Sequence, residues 1–492
     1  MDIYQGIAIG LYFLLMIAIG FYSYKKSTSN VNEFLLGGRR LGAAVTALSA
    51  GAADMSGWLL MGVPGAMYLS GISSSWIAIG LTIGAFMNYI LVAPRLRVYT
   101  EKAQNAITIP DYFEKRFRDH SRLLRFISAM VILVFFTLYT SAGMVSGGRL
   151  FESAFGMSYN SGLLMTSSVV VFYTFIGGFL AVSLTDFVQG AIMVIALVVV
   201  PIVVLTNVGG FPEAISLIEM RDPNLLSLWE GTTAVGIISL LAWGLGYFGQ
   251  PHILVRFMAI EHVKQLHSAR RIGIIWMIFT VSGTMAVGLF GISYMVQNGQ
   301  SISDPETIFI HFSQVLFHPF VGGFLLSAIL AAVMSTISSQ LLVTSSSMTE
   351  DFYKAFLRRG ASNKELLLVS RLSVLAVAII ALVLSLNPKD TILDLVGHAW
   401  AGFGSAFGPL VLLSLLWKRT TRNGGIAGML VGGLTVLLWA YLDHPFQDWY
   451  SMIPGFSLSF LTTVLVSLMD KKPTEEVSQE FDEVRAEVKA EY

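Results

Sequence analysis

The sequence predicts an all-α membrane protein that crosses the bilayer many times. Hydrophobic residues make up 54% of the 492-residue chain and charged residues only 13%, and the mean hydropathy is +0.69. A soluble protein of this length needs a polar surface that this composition does not supply. Apolar stretches of about 18 residues or more, long enough to cross a bilayer as helices, recur along the chain. The surroundings of this protein are therefore predicted to be a lipid bilayer.

Thirteen apolar stretches qualify as candidate transmembrane helices. They start near residues 4, 43, 73, 126, 160, 187, 232, 273, 319, 372, 393, 424 and 450. An odd number of spans places the two termini on opposite sides. Lys and Arg concentrate in alternate loops such as 95–125 and 256–271, so the positive-inside rule predicts an external N-terminus and a cytoplasmic C-terminus. The first apolar stretch has no basic leader and no cleavage site, so it is interpreted as a retained helix.

Asp54 is the most informative residue of the second span. It lies in the middle of the apolar run 43–70, which contains no basic residue. A lone carboxylate at membrane depth costs about 2.5 to 3.5 kcal/mol on insertion scales. Gly51, Gly57, Gly62 and Pro64 lie in the same run, which indicates a broken helix. Unwound backbone is tolerated at that depth only where it lines a cavity or is buried in protein, so this stretch predicts a binding site within the membrane.

A second interruption closes the seventh span, at Ala242 to Pro251. With the first span set aside, the two broken helices open two successive five-helix sets, 43–206 and 232–417. Because five is odd, the second set is inverted in the membrane relative to the first. Broken helices at matching positions of inverted repeats predict a transporter site at the bilayer midplane. The alternative is that the glycines only permit close helix packing.

The remaining segments complete the predicted organisation. Residues 1–42 form an extra N-terminal helix and a cytoplasmic loop, and 207–231 form an external loop. Residues 418–470 contain two C-terminal helices, and 471–492 are a cytoplasmic tail, interpreted as a soluble appendage without a role in transport. Thr108 to Phe117 is predicted to be a cytoplasmic amphipathic helix. Ile308 to Phe317 is too short to span, and is either an external gate or ordinary loop packing.

The ninth span carries a third polar cluster. Its hydroxyl side chains Ser335, Ser338, Ser339 and Ser346 fall close to one helix face. Hydroxyl and carbonyl oxygens suit a hard monovalent cation rather than a transition metal. The alternative is that these hydroxyls bond back to carbonyls of their own helix.

Composition also disfavours several classes of function. The chain has no cysteine, so it forms neither disulfides nor thiolate metal sites. Its formal net charge is zero, and no basic patch alternates with aromatic residues, so nucleic acid is not an expected partner. No nucleophile, base and metal constellation indicates an enzyme, and no repeated acidic ring indicates a channel.

Four stretches resemble the sodium/solute symporter family, and its bacterial proline permeases most closely. They are Leu35–Arg39 continuing through Gly51–Gly62, Tyr173–Val182 with Thr185 and Asp186, Trp243–His252, and Ala331–Thr336 with Ala399–Gly404. The similarity extends to about residue 470. It implies a leucine-transporter-like inverted repeat with one extra helix before it and two after, in a bacterial cytoplasmic membrane. It also implies sodium as the coupling ion and only metal, L-proline as the solute, no organic cofactor and no obligatory protein partner.

The resemblance assigns roles to particular residues. Sodium would be held by the carbonyls of Ala52, Met55 and Ala332 and the hydroxyls of Ser335 and Thr336, with Asp54 tuning the region electrostatically. L-proline would contact Ser56, Gly57, Tyr139, Trp243, Tyr247 and Pro251. Arg39 would act at the cytoplasmic gate, and Asp186 with Ser335, Ser338 and Ser339 would form a second sodium site or an exit route.

Simpler interpretations exist for four of these residues. Tyr139 and Trp243 also fit the bundle core or the interfacial aromatic belt. Arg39 also fits an ordinary positive-inside residue, and Asp186 also fits a helix N-cap. The function predicted from all of these features is sodium-coupled uptake of L-proline by alternating access. The alternatives are a symporter of the same fold for another small organic solute, and a nutrient sensor that binds without transporting.

Overall fold

The fold is an assembly of helices. A computed structural model describes residues 2–27, 31–439, 441–442 and 445–492. The α-helices are α1 Ile3–Ser27, α2 Val31–Leu36, α3 Ala43–Asp54, α4 Val63–Ser70, α5 Ser75–Leu91, α6 Ala93–Lys102, α7 Ile109–Arg116, α8 Leu123–Phe155, α9 Tyr159–Val208, α10 Phe211–Arg221, α11 Ala234–Ala242, α12 Pro251–Ala259, α13 Leu266–Gln297, α14 Ile308–Val315, α15 Pro319–Ser346, α16 Asn363–Leu384, α17 Ile392–Leu416, α18 Arg422–Trp439, α19 Met452–Met469 and α20 Glu475–Glu491.

Nine helical stretches of the described residues are long and apolar enough to cross a membrane. Some of these stretches contain two predicted spans, so nine stretches do not correspond to nine crossings. The spans predicted to start near 160 and 187, for example, both lie in α9. The polytopic helical class is therefore established, and the count of thirteen stays a prediction.

Helix α9 is too long to cross a bilayer once. Its 50 residues would extend about 75 Å as a straight helix, more than twice the thickness of a hydrocarbon core of about 30 Å. Gly178 interrupts it with φ 59° and ψ −152°. A Cβ at Gly178 would lie 2.8 Å from the Phe34 carbonyl oxygen. Only glycine fits this bend, which divides α9 into two arms.

Both helix breaks predicted from the sequence are confirmed. The first helix stops at Asp54, and after the non-helical residues Met55 and Ser56 the chain continues through a π-helical turn, Trp58–Gly62, into α4. The second passes from α11 through a 3₁₀ segment, Trp243–Gly249, before α12 begins at Pro251. Each break therefore places unwound or tightened backbone between two half-helices.

The two broken helices are joined at one end. Leu41, just before α3, forms an isolated parallel bridge with Ile260, just after α12. The Leu41 N–H donates to the Ala259 carbonyl at 3.1 Å, and the Glu261 N–H donates to the Leu41 carbonyl at 3.0 Å. These backbone bonds hold the start of one broken helix against the end of the other.

The two short connections predicted to be structured are helical. The Thr108 hydroxyl accepts a hydrogen bond from the Asp111 N–H at 3.0 Å and so caps α7. Helix α14 covers most of the stretch predicted at 308–317, and Ile308, Phe309 and Phe312 are buried. The structure supports protein packing for α14, and a gating role stays a prediction.

The prediction that the tail is a separate soluble appendage is wrong. Helix α20 packs against α6, and it buries Val477, Phe481, Val484 and Val488. These residues recur at helical spacing along one face. Helix α20 docks because this apolar stripe is buried against the bundle. The many acidic residues of the tail hide the stripe in the sequence.

Candidate functional site

The two broken helices meet at Asp54. The Tyr247 hydroxyl, in the 3₁₀ segment of the second broken helix, donates to Asp54 Oδ2. The Trp58 indole N–H donates to the Asp54 carbonyl at 3.2 Å. Asp54 is 1% exposed, and its Oδ1 has no hydrogen-bond partner in the described part of the chain. The carboxylate is thus aimed at the other broken helix.

A small cavity lies beside this contact. Its volume is about 30 Å³, and its lining includes Asp54, Met55, Asn88 and Tyr247. This volume holds roughly two water molecules. The Asn88 side chain is 1% exposed and lacks a hydrogen-bond partner among the described residues. The cavity therefore borders two buried polar side chains, Asp54 and Asn88, that each keep an atom without a protein partner in the described part of the chain.

A cluster of oxygens joins the end of α3 to the middle of α15. The Ser335 Oγ lies 2.7 Å from the Ala52 carbonyl oxygen and 3.0 Å from that of Ala332. The Thr336 Oγ1 lies 3.2 Å from the Ala332 carbonyl oxygen. Carbonyls in the last turn of a helix lack partners further along that helix, and the Ala52 carbonyl accepts instead from Ser335 of α15. The structure brings Ala52, Ala332, Ser335 and Thr336 together, and Met55 directly follows α3.

Asp186 is held in a buried ion pair rather than at a helix end. It lies well inside α9, so an N-cap does not explain it. Arg256 Nη2 donates to Asp186 Oδ2 at 3.1 Å, and the Ser49 hydroxyl donates to the same oxygen at 2.7 Å. Both charged side chains are 0% exposed. Each charge therefore compensates the other's desolvation.

Arg256 also reaches the ninth predicted span. Its Nη2 lies 2.6 Å from the Ser339 hydroxyl oxygen, whereas the Ser338 hydroxyl donates to the Ser335 carbonyl of its own helix at 3.1 Å. The sequence predicted that Arg256 lies in the loop 256–271. That assignment is wrong, because α12 continues to Ala259 and keeps Arg256 fully buried. A guanidinium therefore lies between Asp186 and Ser339.

The residues predicted to contact proline are all buried around the two breaks. The hydroxyls of Ser56 and Tyr139 have no hydrogen-bond partner in the residues that the structure describes. A Cβ at Gly57 would lie 2.3 Å from the Ser146 hydroxyl oxygen, so no larger residue fits there. Pro251 opens α12.

Trp400, in α17, organises the 3₁₀ segment. Its indole N–H donates to the Trp243 carbonyl at 2.8 Å, and its ring meets Tyr247 edge-on at 5.3 Å. A Cβ at Gly246 would lie 2.0 Å from the Trp400 indole nitrogen. Trp400 therefore fixes the backbone that presents Trp243 and Tyr247. Trp400 belongs to the family-like stretch Ala399–Gly404, but the sequence predicted no role for it.

Trp243 also borders a larger cavity, called the vestibule below. The vestibule has a volume of about 580 Å³ and is lined by Trp243, Asp394, Gly397, His398 and Tyr450, among others. Trp243 itself is 7% exposed. The vestibule thus reaches one residue of the predicted proline site and stops at its side chain.

Arg39 closes the end of the molecule where Leu41 and Ile260 pair. Its Nε donates to the Asn105 Oδ1 at 2.9 Å, and its Nη2 donates to the Ala106 carbonyl at 2.6 Å. Its Nη1 also donates to the Met258 carbonyl in α12. One side chain therefore ties the segment before α3, the loop after α6 and α12 together.

Glu306 is a buried carboxylate that is absent from the predicted site residues. Arg149 donates to its Oε2 at 2.9 Å. The backbone N–H groups of Ile392 and Leu393 donate to it at 3.1 and 3.2 Å. Burial raises the pKa of the Glu306 carboxyl. The only local signal was an acidic residue two positions before an apolar helix, which does not reveal such partners.

Comparisons with known proteins agree with this architecture. The sequence profile of the Sodium:solute symporter family matches residues 34–432. The osmoregulated proline transporter OpuE of Bacillus subtilis is 60% identical, with 95% of each chain covered. The high-affinity proline transporter PutP of the same organism is 58% identical, with 95% of this chain and 98% of that protein covered.

Among solved structures, a sodium-coupled sialic acid symporter in a substrate-bound outward-open state superposes with a TM-score of 0.82. It is 18% identical, and the match covers 96% of this chain and 99% of that one. This likeness concerns the fold.

Broken helices that meet at a buried carboxylate, beside a cluster of carbonyl and hydroxyl oxygens, define a membrane transporter. The chain belongs to the sodium:solute symporter family.

Proposed function

We propose that this protein takes up L-proline together with sodium across the bacterial cell membrane by alternating access. The observation that carries the proposal is the Tyr247 to Asp54 hydrogen bond, which joins the two broken helices next to the oxygen cluster of α3 and α15. Relatives named as proline transporters are 58% and 60% identical to this chain. The N-terminus is proposed to lie outside, and the Arg39 end of the molecule in the cytoplasm.

Sodium binds at the oxygen cluster in this proposal. The carbonyls of Ala52, Met55 and Ala332 and the hydroxyls of Ser335 and Thr336 supply the neutral oxygens that a hard monovalent ion prefers. Asp54 acts on the ion through its charge, since its Oδ2 is engaged by Tyr247. An ion at the end of α3 orders the unwound residues that follow.

L-proline binds between the two breaks. Its secondary ammonium lies against the aromatic faces of Trp243, Tyr247 or Tyr139. Its carboxylate accepts from the Gly57 backbone N–H, just before the π-helical turn that leads into α4. It also accepts from the Ser56 hydroxyl, which has no hydrogen-bond partner among the described residues. The apolar ring packs against Pro251. Sodium comes first because it orders the same backbone that binds the carboxylate, and this order couples the two ligands.

Coupling to one sodium supplies a sufficient driving force. An ion that enters across 100 mV contributes about 2.3 kcal/mol, and a tenfold sodium gradient adds about 1.4 kcal/mol. Together they support an accumulation of roughly several hundredfold.

One sodium per proline is the proposed stoichiometry. Arg256 lies between Asp186 and Ser339 and already compensates the carboxylate. A second sodium at these residues would require the guanidinium to withdraw, because two cations would otherwise share one carboxylate. In this proposal Asp186 attracts the departing ion on the cytoplasmic route only while Arg256 is withdrawn from it.

Uptake into proteoliposomes tests the proposed function. Purified protein should accumulate radiolabelled L-proline with an inward sodium gradient and not with potassium. A panel of unlabelled amino acids, sugars and carboxylates should compete poorly. Strong competition by another solute would assign a different substrate, and sodium-dependent binding without accumulation would indicate a sensor.

A further inference from the structure

Tyr450 lies outside the two predicted repeats but contacts the proposed proline site. It precedes α19, in the connection that follows α18. Its ring stacks on that of Trp243, with centroids 5.2 Å apart and an interplanar angle of 12°. A residue of the connection between α18 and α19 therefore covers a side chain that is proposed to contact proline.

Two hydrogen bonds hold Tyr450 in this position. Its hydroxyl donates to the Gly397 carbonyl in α17 at 2.8 Å. Its backbone N–H donates to the Ser239 hydroxyl in α11 at 3.1 Å. A Cβ at Gly397 would lie 3.2 Å from the Trp243 ring, so Gly397 leaves just enough room for the stacked pair. Tyr450 bridges two helices of the second repeat above Trp243.

The vestibule places this pair on a route from solution to the site. Trp243 and Tyr450 both line it, together with Asp394 and His398. It borders the α11 half of the second broken helix. The α12 half ends at Ala259, next to Ile260, which pairs with Leu41, and Arg39 donates to the Met258 carbonyl there. The vestibule is therefore at the end opposite Arg39, which is the external end in the proposed orientation.

We propose that Tyr450 is a lid on the proline site, which leaves Trp243 when proline enters from the vestibule and stacks on it again to retain the substrate. The proposal rests on the proposed function and adds a gating residue from outside the repeats. The stacked ring and the two hydrogen bonds hold the closed position. Each is weak enough to open during a transport cycle.

A lid has a kinetic signature that a simple pocket wall lacks. It blocks both directions, so removing it speeds association and dissociation together and changes affinity little. A wall contact stabilises only the bound state, so removing it speeds dissociation and weakens affinity by the same factor. Both rates are measured on the purified full-length protein, with radiolabelled L-proline at saturating sodium.

Tyr450→Ala should raise the association and dissociation rates each about tenfold, with less than about a threefold change in Kd. Tyr450→Phe keeps the ring and loses only the bond to Gly397, so both rates should rise about threefold. Tyr450→Leu replaces the ring by an aliphatic side chain and serves if the alanine variant does not fold. Tyr441→Ala is the matched control, because Tyr441 lies in the same connection and is 86% exposed. Its rates should equal those of the wild type.

Each other outcome has a definite meaning. Faster dissociation with an equal loss of affinity would make Tyr450 a pocket wall and overturn the lid. Unchanged rates in the alanine or leucine variant would overturn it as well. A wild-type protein that binds no proline in sodium would overturn the proposed function and the lid with it, whereas normal wild-type binding isolates the test of the lid.

Discussion

Asp54 is buried at the meeting point of both broken helices, which explains how a carboxylate is tolerated in an apolar span. Tyr247, 193 positions away in the sequence, donates to one of its oxygens. The other oxygen has no partner among the described residues. Asp54 also lines a cavity of about 30 Å³. The charge is therefore partly stabilised and remains available to a nearby cation.

Asp54→Asn should preserve folding and raise the sodium concentration for half-maximal uptake at least about tenfold, since a charge near the ion is lost. Tyr247→Phe is the matched comparison, because it removes the donor and keeps both the ring and the charge. Sodium titrations of proline uptake measure the effect. A sodium response equal to the wild type in Asp54→Asn would contradict the role given to this charge.

The two ligands should respond to different substitutions. Ser335→Ala and Thr336→Ala remove oxygens from the cluster at Ala52 and Ala332, so they should mainly raise the sodium requirement. Trp243→Ala and Tyr247→Ala remove aromatic faces and should mainly weaken proline binding, by about tenfold. Binding isotherms for each ligand at a saturating concentration of the other separate the effects. Equal shifts of both ligands in both pairs would refute separate sites.

At the scale of elements, α20 contacts α6, the segment after α7 and α13. Lys102 at the end of α6 pairs with Glu487 at 2.9 Å, and Arg118 after α7 pairs with Glu480 at 2.6 Å. The Tyr492 ring stacks on His267 of α13 at 4.1 Å. Phe481 is 6% exposed. The helix therefore connects segments that belong to different parts of the bundle.

Phe481→Ala should release α20, since truncating a buried phenylalanine costs about 3 kcal/mol or more. The chain has no cysteine, so Val484→Cys, at a position that is 3% exposed, is a clean reporter. Maleimide should label it slowly in the otherwise unchanged protein and much faster with Phe481→Ala. High salt should also speed labelling, because it screens the ion pairs.

Glu475→Ala is the control for this experiment, because Glu475 is an exposed residue of the same helix. It should leave the labelling rate unchanged. Rapid labelling of Val484→Cys without any further substitution would show that α20 is not docked.

The whole molecule is expected to alternate between two closures around one central site. At one end Arg39 ties the segment before α3 to α12 and to the loop after α6. At the other end Tyr450 covers Trp243. Opening one end while the other stays closed moves the site from one side of the membrane to the other.

The stoichiometry of transport should be one sodium per proline, because Arg256 compensates Asp186 in the structure. Reversal potentials in proteoliposomes measure this ratio. Ser339→Ala should leave it at one. A wild-type ratio of two that falls to one in Ser339→Ala would instead locate a second coupled ion at these residues. A second ion would double the driving force to roughly 7 kcal/mol and support about a 10⁵-fold gradient.

Features that depend on local composition were predictable from the sequence. Apolar stretches of bilayer length require helices, because every backbone polar group in lipid must be satisfied within the protein. Glycine and proline next to a carboxylate predicted the break after Asp54, and glycine and proline without a carboxylate predicted the break before Pro251. The family resemblance singled out Ala332 and Ser335, whose oxygens lie close together in the structure, and their role in holding sodium stays a prediction.

Only the tertiary structure decided which distant side chains became partners. Arg256 looks like a loop arginine in the sequence and is the buried partner of Asp186, 70 positions away. Tyr450 lies at the start of the last predicted span and stacks on Trp243. The acidic tail conceals an apolar face that docks α20. Hydrophobic periodicity reports which face of a helix is buried, but not which neighbour covers it. That choice depends on how all the helices pack together.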